Sequence, residues 1–306
     1  MSSDRMDELV NTLTTVGDYV RWSMSQFAAT DAFCGHGYGD AWDESLALVF
    51  HGAGLPWDAN PALLNTTLLM DERRFIVERV HLRTVERMPL AYITNKAYFC
   101  GLEFYVDERV LIPRSPIGEL IENQFMGLMD YPPERIADVC AGSGCIGIAM
   151  AMAFDGAQVD ITDISADALA VATMNVERHG LQDHVQVHEG NLLEPLPADT
   201  YDLIVSNPPY VDAGDMASRP REFTHEPELG LAGGDDGLDL VHTMLPQAAA
   251  RIAPEGVFVC EVGNSWPALE AAYPDLPFVW VEFERGGDGV FALSGQVLRD
   301  YFLTQP

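Results

Sequence analysis

The sequence predicts an α/β protein with a Rossmann-like C-terminal domain, a small N-terminal helical domain and a β-hairpin that links them. Three observations support this. Residues 1–93 carry apolar side chains at helical spacing. Residues 94–113 contain two short apolar runs around a polar turn. Residues 114–306 alternate short strands with helices, which is typical of a parallel sheet covered on both faces.

The helical domain is predicted to contain three main segments. In the first segment, apolar residues recur at helical spacing. The second is a helix for which Asp40 is a candidate N-cap, and the third is a long helix. These segments are marked by Leu9, Leu13, Val16, Val20 and Phe27, by Trp42–Phe50, and by Glu72–Arg87 with Phe75, Ile76, Val80 and Leu82 inward. Because no catalytic residue pattern occurs over residues 1–93, we expect this domain to be a substrate-recognition module or a lid.

The linker and the larger domain are predicted from runs of β-branched and aromatic residues. In the linker, runs over 98–106 and 110–113 flank Asp107–Arg109 as a hairpin turn, and a helix over Ile117–Met129 follows. The α/β domain then has strands over residues 135–140, 158–162, 185–190, 201–206 and 256–261, a helix over 145–154, and a final pair over 278–284 and 289–293.

The net charge of 17 − 47 = −30, with Lys96 as the one lysine, argues against direct binding of nucleic acid. An acidic surface of this kind suits either a basic protein partner or adaptation to high salt. No run of 18 apolar residues occurs and the first residues are polar and acidic, so we expect no membrane span and no signal peptide. Five scattered cysteines indicate a reducing compartment, here the cytoplasm, and predict neither disulfides nor a metal site.

The most informative stretch is Asn207-Pro208-Pro209-Tyr210, which ends the apolar strand over 201–206. The two prolines stop the strand and stiffen the turn at its carboxyl end, where open α/β sheets place their ligands. The side-chain carbonyl of Asn207 and the backbone carbonyl of Pro208 are two acceptors suited to a planar –NH2 group. Tyr210 offers a flat face to pack against it. We therefore predict Asn207, Pro208 and Tyr210 as the catalytic residues.

A second turn predicts a cofactor. Cys140-Ala141-Gly142-Ser143-Gly144 joins a strand to a helix, and its glycines let backbone approach a ligand closely. Asp163 ends the next strand, where an acid accepts the hydroxyls of a ribose. The turn lacks the third glycine of a dinucleotide site and the Gly-Lys-Ser/Thr of a phosphate loop, so S-adenosylmethionine fits best. Asn191 is predicted to bind the adenine edge, and Asn207 also faces this cofactor.

With these motifs in place, nearly the whole chain resembles the HemK-type protein glutamine methyltransferases. Shared stretches include Leu111–Arg114, His225–Leu231, Gly234–Leu238 and Glu261–Gly263. The resemblance implies an S-adenosylmethionine-dependent methyltransferase domain of class I behind a helical domain and a hairpin. Two departures are Cys140-Ala141, where many members have Gly-Thr or Cys-Thr, and Asn191, where Asp is usual.

Within that family, the closest branch methylates a glutamine of large-subunit ribosomal protein three. The segments that resemble this branch are Ala91–Gly101, Pro113–Leu120, Arg285–Phe291 and Trp42-Asp43-Glu44. The release-factor branch instead has Pro-Glu-Thr-Glu after its Pro-Arg. The resemblance therefore implies large-subunit ribosomal protein three as the protein substrate. Arg114 and Glu119 are expected either near the site or in a structural salt bridge.

Three alternatives remain at the level of sequence. The target could be a glutamine of a release factor, or the amino group of a DNA base, since DNA methyltransferases use a similar Asn/Asp-Pro-Pro-Tyr turn. The acidic charge and the helical domain argue against DNA. A non-catalytic assembly factor that only binds a ribosomal protein is the third, and the intact glycine turn together with Asn207 argues against it.

Overall fold

The computed structural model describes residues 2–197 and 200–303. Their contacts divide the chain into two units. Two predicted domains extend beyond the described residues. Residue 1 of the helical domain and residues 198, 199 and 304–306 of the α/β domain are not described.

The first unit is helical and combines Met1–Lys96 with the distant segment Pro220–His225. The second unit comprises Ala97–Arg219 and Glu226–Pro306, so the hairpin clusters with the α/β part of the chain.

Over the described residues, the helical unit contains five α-helices: α1 (Ser3–Thr12), α2 (Val16–Thr30), α3 (Ala41–Gly52), α4 (Met70–Thr84) and α5 (Leu90–Thr94). The apolar spacing that runs through the first 27 residues of the sequence is divided between α1 and α2. A capping box explains the break, because the Thr15 hydroxyl accepts from Asp18 N while the Asp18 side chain accepts from Thr15 N. The predicted cap of α3 is confirmed, since Asp40 accepts from Trp42 N and Asp43 N.

The core of the helical unit is apolar, with Tyr19, Leu48 and Ile76 fully buried. The inward face of α4 differs from the predicted one. Phe75 and Leu82 are only half-buried. Arg83 is instead among the largest fully buried side chains, which apolar periodicity could not predict.

The hairpin consists of β1 (Ala97–Phe99) and β2 (Leu102–Phe104), paired antiparallel. The predicted turn at Asp107–Arg109 is wrong, and the chain reverses at Cys100-Gly101. Both residues have left-handed φ angles, 48° and 73°, as a two-residue turn of this kind requires. The residue types did not indicate this turn, because cysteine, and not asparagine or glycine, occupies its first position.

The helix that follows, α6 (Ile117–Glu122), is shorter than the predicted Ile117–Met129. It ends because Gln124 and Phe125 adopt left-handed φ angles of 52° and 53°. Phe125 N then donates to Leu120 O, and the Phe125 side chain is fully buried in the core. The gain from burying this aromatic side chain outweighs continuation of the helix.

The predicted parallel core sheet, covered on both faces, is confirmed. In the part of the chain that the structure describes, the sheet has seven strands in the order β5-β4-β3-β6-β7-β9-β8. The first five of that order are parallel, whereas β9 pairs antiparallel with β7 and β8. The strands are β3 (Arg135–Val139), β4 (Gln158–Asp163), β5 (Val185–Glu189), β6 (Tyr201–Ser206), β7 (Ile252–Glu261), β8 (Val279–Trp280) and β9 (Val290–Ser294). The helices of this unit after α6 are α7 (Cys145–Ala153), α8 (Ala166–Arg178), α9 (Ala213–Ser218), α10 (Asp239–Arg251), α11 (Trp266–Ala272) and α12 (Gly295–Leu303).

Alternate residues of the central strands bury into two separate apolar clusters. On β6, Leu203 and Val205 join one cluster, which includes residues of α7, while Ile204 joins the other, which includes residues of α10 and α12. Chain order reverses between β3 and β6, because β4 and β5 lie on one side and β7 lies on the other. A reversal of this kind opens a crevice at the carboxyl ends of the strands.

A search of the described helices finds none with the length and apolar character needed to cross a membrane.

Candidate active site

The two turns predicted to carry chemistry meet where the strand order reverses. Cys140–Gly144 follows β3, and Asn207 follows β6, the strand beside it. Both turns open on one cavity, whose lining includes Cys140, Gly142, Asp163, Asn191 and Asn207. The other predicted site residues, Ala141, Ser143, Gly144, Pro208 and Tyr210, are not among the lining residues.

The glycine turn brings backbone to the cavity. Gly142 has a φ of 55°, and a Cβ built there would meet nothing within 4 Å, so this position exposes main chain to a ligand. Gly144 is the N-cap residue that precedes α7, with a φ of 78°. Cys140 also adopts a left-handed φ of 63°. The chain therefore keeps the turn geometry at a cost in backbone strain of about 1–2 kcal/mol.

Asp163 stands at the carboxyl end of β4 beside this turn. Its Oδ2 accepts from Gly142 N at 2.9 Å and its Oδ1 accepts from Ser165 N at 2.9 Å. Burial raises the pKa of Asp163, and these backbone hydrogen bonds offset part of the rise. Each carboxylate oxygen retains a lone pair for a ligand hydroxyl, so the geometry fits the predicted ribose contact.

Asn191 lines the same cavity, and its Nδ2 donates to Glu194 Oε1 at 3.2 Å. Its predicted contact with an adenine edge stays a prediction.

Asn207 presents the clearest unsatisfied group of the site. Its Oδ1 is buried and accepts no hydrogen bond from any of the residues that the structure describes. The strand before it is fixed, because Ser206 Oγ donates to Val139 O at 2.7 Å across the β3–β6 pair. A buried acceptor without a donor costs about 1–3 kcal/mol, so such groups are typical of sites that bind a ligand donor.

Tyr210 is fixed from two sides. Its hydroxyl donates to Glu261 Oε1 at 2.6 Å, and a Cβ at Gly263 would stand only 2.6 Å from Tyr210 Cε2. The ring therefore packs directly on the backbone after β7. Glu261 Oε2 also accepts from Ser115 Oγ at 2.5 Å. Burial raises the pKa of Glu261, and the hydrogen bonds from Ser115 and Tyr210 act in the opposite direction.

A second buried carboxylate, Glu226, fixes one wall of the cavity. It accepts from Ile112 N at 3.0 Å and from both terminal nitrogens of Arg114 at 2.6 and 3.0 Å. The residues on either side of this contact, Leu111 and Pro227, line the cavity. Arg114 thus forms a salt bridge with Glu226, and Glu119 instead accepts from two backbone amides of the 284–285 turn.

Sequence reasoning assigned no role to Glu226 or Glu261. Both occur in stretches that resemble the glutamine methyltransferase family, Glu226 in His225–Leu231 and Glu261 in Glu261–Gly263. That resemblance was the one available signal, since their partners lie 112 and 51 residues away along the chain.

The residues present fit S-adenosylmethionine. The exposed backbone at Gly142, the carboxylate of Asp163 and the unpaired acceptor of Asn207 face one cavity. A nucleoside with a ribose diol and a positively charged sulfonium finds acceptors there.

Comparisons with known proteins add a family. A family model described as "Methyltransferase small domain" matches residues 124–223. The ribosomal protein uL3 glutamine methyltransferase of Francisella tularensis subsp. tularensis is 43% identical over 302 residues, which cover 98% of this chain and 96% of that protein. The protein of the same name from Bordetella pertussis is 43% identical over 288 residues, which cover 94% of this chain and 97% of that protein.

Among solved structures, the hMettl16 catalytic domain in complex with MAT2A 3′UTR hairpin 1 is 18% identical. The match covers 73% of this chain and 80% of the hMettl16 chain, with a TM-score of 0.49. This likeness is too distant to bear on the substrate.

One prediction follows from Asp138, which is buried on β3 beneath the glycine turn. Its Oδ2 accepts from Gly147 N at 2.7 Å, while Oδ1 has no partner among the described residues. Burial raises the pKa of Asp138 to about 7. Because the folded state then binds more protons than the unfolded state, this group lowers stability as the pH rises from about 4 to about 7.

Asp138→Asn keeps an oxygen for Gly147 N and removes this titration. We compare the free energy of unfolding of the variant with that of the natural protein. We expect this difference to shift in favour of the variant by on the order of 1–4 kcal/mol when the pH rises from 5 to 8. Urea unfolding of both proteins without cofactor at the two pH values measures this. A difference between them that does not change with pH would contradict the assignment.

Proposed function

We propose that this chain, which belongs to the family of ribosomal protein uL3 glutamine methyltransferases, is an enzyme that methylates uL3. It transfers a methyl group from S-adenosylmethionine to the side-chain amide nitrogen of a glutamine in uL3. The two relatives match the helical unit as well as the α/β unit, since they cover nearly the whole chain. The branch expected from the sequence motifs, large-subunit ribosomal protein three as substrate, is confirmed by these relatives.

The single observation that carries the mechanism is the buried, unpaired Oδ1 of Asn207. In the proposed complex this oxygen and the backbone carbonyl of Pro208 accept the two N–H groups of the glutamine amide. An amide nitrogen is a weak nucleophile because its lone pair is conjugated with the carbonyl group. Holding it at one fixed position toward the cavity therefore removes much of the barrier.

S-adenosylmethionine, when bound, supplies an electrophilic methyl group. The methyl would pass to the amide nitrogen as its bond to the sulfonium sulfur breaks. S-adenosylhomocysteine would then leave as a neutral thioether, and the positive charge would move from sulfur to the nitrogen. The two neutral acceptors, Asn207 Oδ1 and the Pro208 carbonyl, stabilise this charge where it appears. A proton leaves the nitrogen for water afterwards, so no dedicated base is required. A cationic side chain in this position would repel both the positively charged methyl donor and the positive charge that develops on the nitrogen.

Tyr210 packs against the glutamine amide in this proposal. Its hydroxyl is already committed to Glu261, so its ring and not its hydroxyl is the part that faces substrate. Glu261 is a positioning residue that acts through Tyr210. The cofactor would be held by the turn Cys140-Ala141-Gly142-Ser143-Gly144, by Asp163 and Asn191, and by Asn207.

The helical unit is proposed to recognise uL3. The residues proposed to hold the cofactor and the glutamine all belong to the second unit, which leaves the first unit without a chemical role. A cytoplasmic location is also proposed, since a ribosomal protein is modified where ribosomes are assembled.

Asn207→Ala tests the role of the acceptor. Removing one oriented acceptor at developing charge should lower kcat by about 10²–10³. The Kd of S-adenosylmethionine should change far less, because the glycine turn and Asp163 remain. Steady-state kinetics and equilibrium binding measure the two quantities. Equal losses in turnover and in cofactor binding would show that Asn207 serves the cofactor alone.

The substrate is tested with labelled S-adenosylmethionine and three acceptors in parallel: unmodified uL3, a release factor and DNA. We expect label on a glutamine of uL3 alone, and none with Asn207→Ala. Label on the release factor would place the chain in the other branch of the family. Label on DNA alone would mean that the acidic charge does not exclude nucleic acid. Cofactor binding without transfer to any acceptor would support the non-catalytic alternative.

A further inference from the structure

The segment Pro220–His225 interrupts the catalytic unit in an unusual place. By its contacts it belongs to the helical unit, while Arg219 before it and Glu226 after it belong to the catalytic unit. The chain therefore leaves the catalytic unit soon after the Asn207–Tyr210 turn and returns immediately before the cavity wall at Pro227–Gly230. We refer to residues 212–230 as the excursion and to Pro220–His225 as its tip.

The base of the excursion is closed by backbone hydrogen bonds directly beside Tyr210. Val211 N donates to Leu231 O at 2.9 Å, and Gly233 N donates to Val211 O at 2.9 Å. The returning chain then forms the wall, in which Pro227, Leu229 and Gly230 line the cavity. One continuous loop thus connects the proposed catalytic turn, the tip and the wall.

The tip is fixed by Glu222, which is only 2% exposed. Its Oε1 accepts from Phe33 N at 2.9 Å, from Arg87 Nη1 at 3.1 Å and from Arg83 Nη1 at 3.3 Å. Burial by itself raises the pKa of Glu222, but these donors lower it overall, so the carboxylate is charged at neutral pH. A buried carboxylate with three donors is a strong and directional attachment.

Arg83 is shared with a second acid. It donates through Nε and Nη2 to Glu44 of α3, and Nη2 also donates to Phe33 O at 2.6 Å. Two arginines and two glutamates therefore balance in charge within this cluster. Loss of either glutamate leaves a buried guanidinium without a full counter-charge, which is strongly unfavourable. Only Glu222, however, belongs to the excursion.

Two further side chains of the tip contact the helical unit without relying on the ion pairs. The Phe223 ring lies 4.4 Å from the His36 ring and 6.0 Å from the Phe33 ring. His225 Nε2 lies 2.9 Å from Glu86 O. The tip is thus attached by charge at Glu222 and by aromatic packing at Phe223, which can be removed separately.

We propose that Glu222 is a positioning residue for methyl transfer, because it fixes the tip of the excursion and thereby orders the cavity wall at Pro227–Gly230 beside the catalytic turn. The inference rests on the proposed function, and it assigns a catalytic consequence to a residue in the helical unit. Pro227, Leu229 and Gly230 line the same cavity as Asn207. A shift of about 1 Å in this wall would lower turnover without removing any catalytic group. Gly142 and Asp163 line the same cavity, but the turns after β3 and β4 carry them and they hydrogen-bond to each other.

Three variants separate this role from simple stability. Glu222→Gln keeps an oxygen for Phe33 N and removes the charge. Phe223→Ala loosens the tip without touching an ion pair. Glu44→Gln is the matched control. It removes one carboxylate charge that is paired with the same Arg83, and Glu44 is buried to a similar degree, at 3% exposed. It leaves the contacts of the tip in place.

Two readouts are taken below the unfolding temperature of every variant. The first is kcat at saturating uL3 together with the Kd of S-adenosylmethionine. The second is hydrogen exchange of amides in residues 227–233, where Gly230 N donates to Pro227 O and Leu231 N donates to Glu228 O. Exchange reports local opening of the wall and requires no substrate.

We expect Glu222→Gln and Phe223→Ala to lower kcat by about ten- to a hundredfold, with the Kd of the cofactor unchanged. Both should also exchange faster over 227–233, whereas Glu44→Gln should match the natural protein in both readouts despite a lower unfolding temperature. Unchanged exchange in the two tip variants, or equal effects from Glu44→Gln, would overturn the inference. Failure of the natural protein to methylate uL3 would instead overturn the proposed function, and the exchange readout would still decide the role of Glu222.

Discussion

The site depends on one costly feature, a buried acceptor that has no donor. Asn207 Oδ1 is held at the end of β6 by a turn whose two prolines cannot donate hydrogen bonds of their own. Leaving such an oxygen unpaired costs about 1–3 kcal/mol, a sizeable share of a typical folding free energy. The surrounding sheet supplies that stability, since both faces of β6 are buried and Ser206 is bonded across to β3.

Buried carboxylates keep the surroundings of this acceptor in place. Glu261 holds Tyr210 and Ser115, Glu226 joins the two wall segments at Ile112 and Pro227, and Glu222 holds the tip of the excursion. Each is nearly inaccessible to water, and each accepts hydrogen bonds from specific donors. Buried charges of this kind add little net stability but fix geometry when their partners are satisfied. The site is therefore ordered before the substrate arrives, which suits a reaction that relies on placing a weak nucleophile.

The sequence was informative where the signal is local. The prolines after β6 and the glycines after β3 mark their turns by residue type, and the strand pattern placed both at the same edge of the sheet. By contrast, Glu222, Glu226 and Arg83 could not be assigned, because charged residues give no apolar pattern. Glu222 bonds to Phe33 at a separation of 189 residues and Glu226 to Ile112 at 114. The hairpin turn was misplaced for a related reason, since Cys100 adopts a left-handed φ that its residue type does not favour.

The central claim is that the unpaired oxygen of Asn207 accepts a hydrogen bond from the substrate amide. A crystal structure with S-adenosylhomocysteine and a peptide of uL3 that contains the target glutamine tests it directly. We expect the glutamine side-chain nitrogen within hydrogen-bonding distance of both Asn207 Oδ1 and the Pro208 carbonyl, with Tyr210 still bonded to Glu261. A glutamine bound elsewhere in the cavity, with Asn207 Oδ1 still unpaired or bonded to the cofactor, would contradict it.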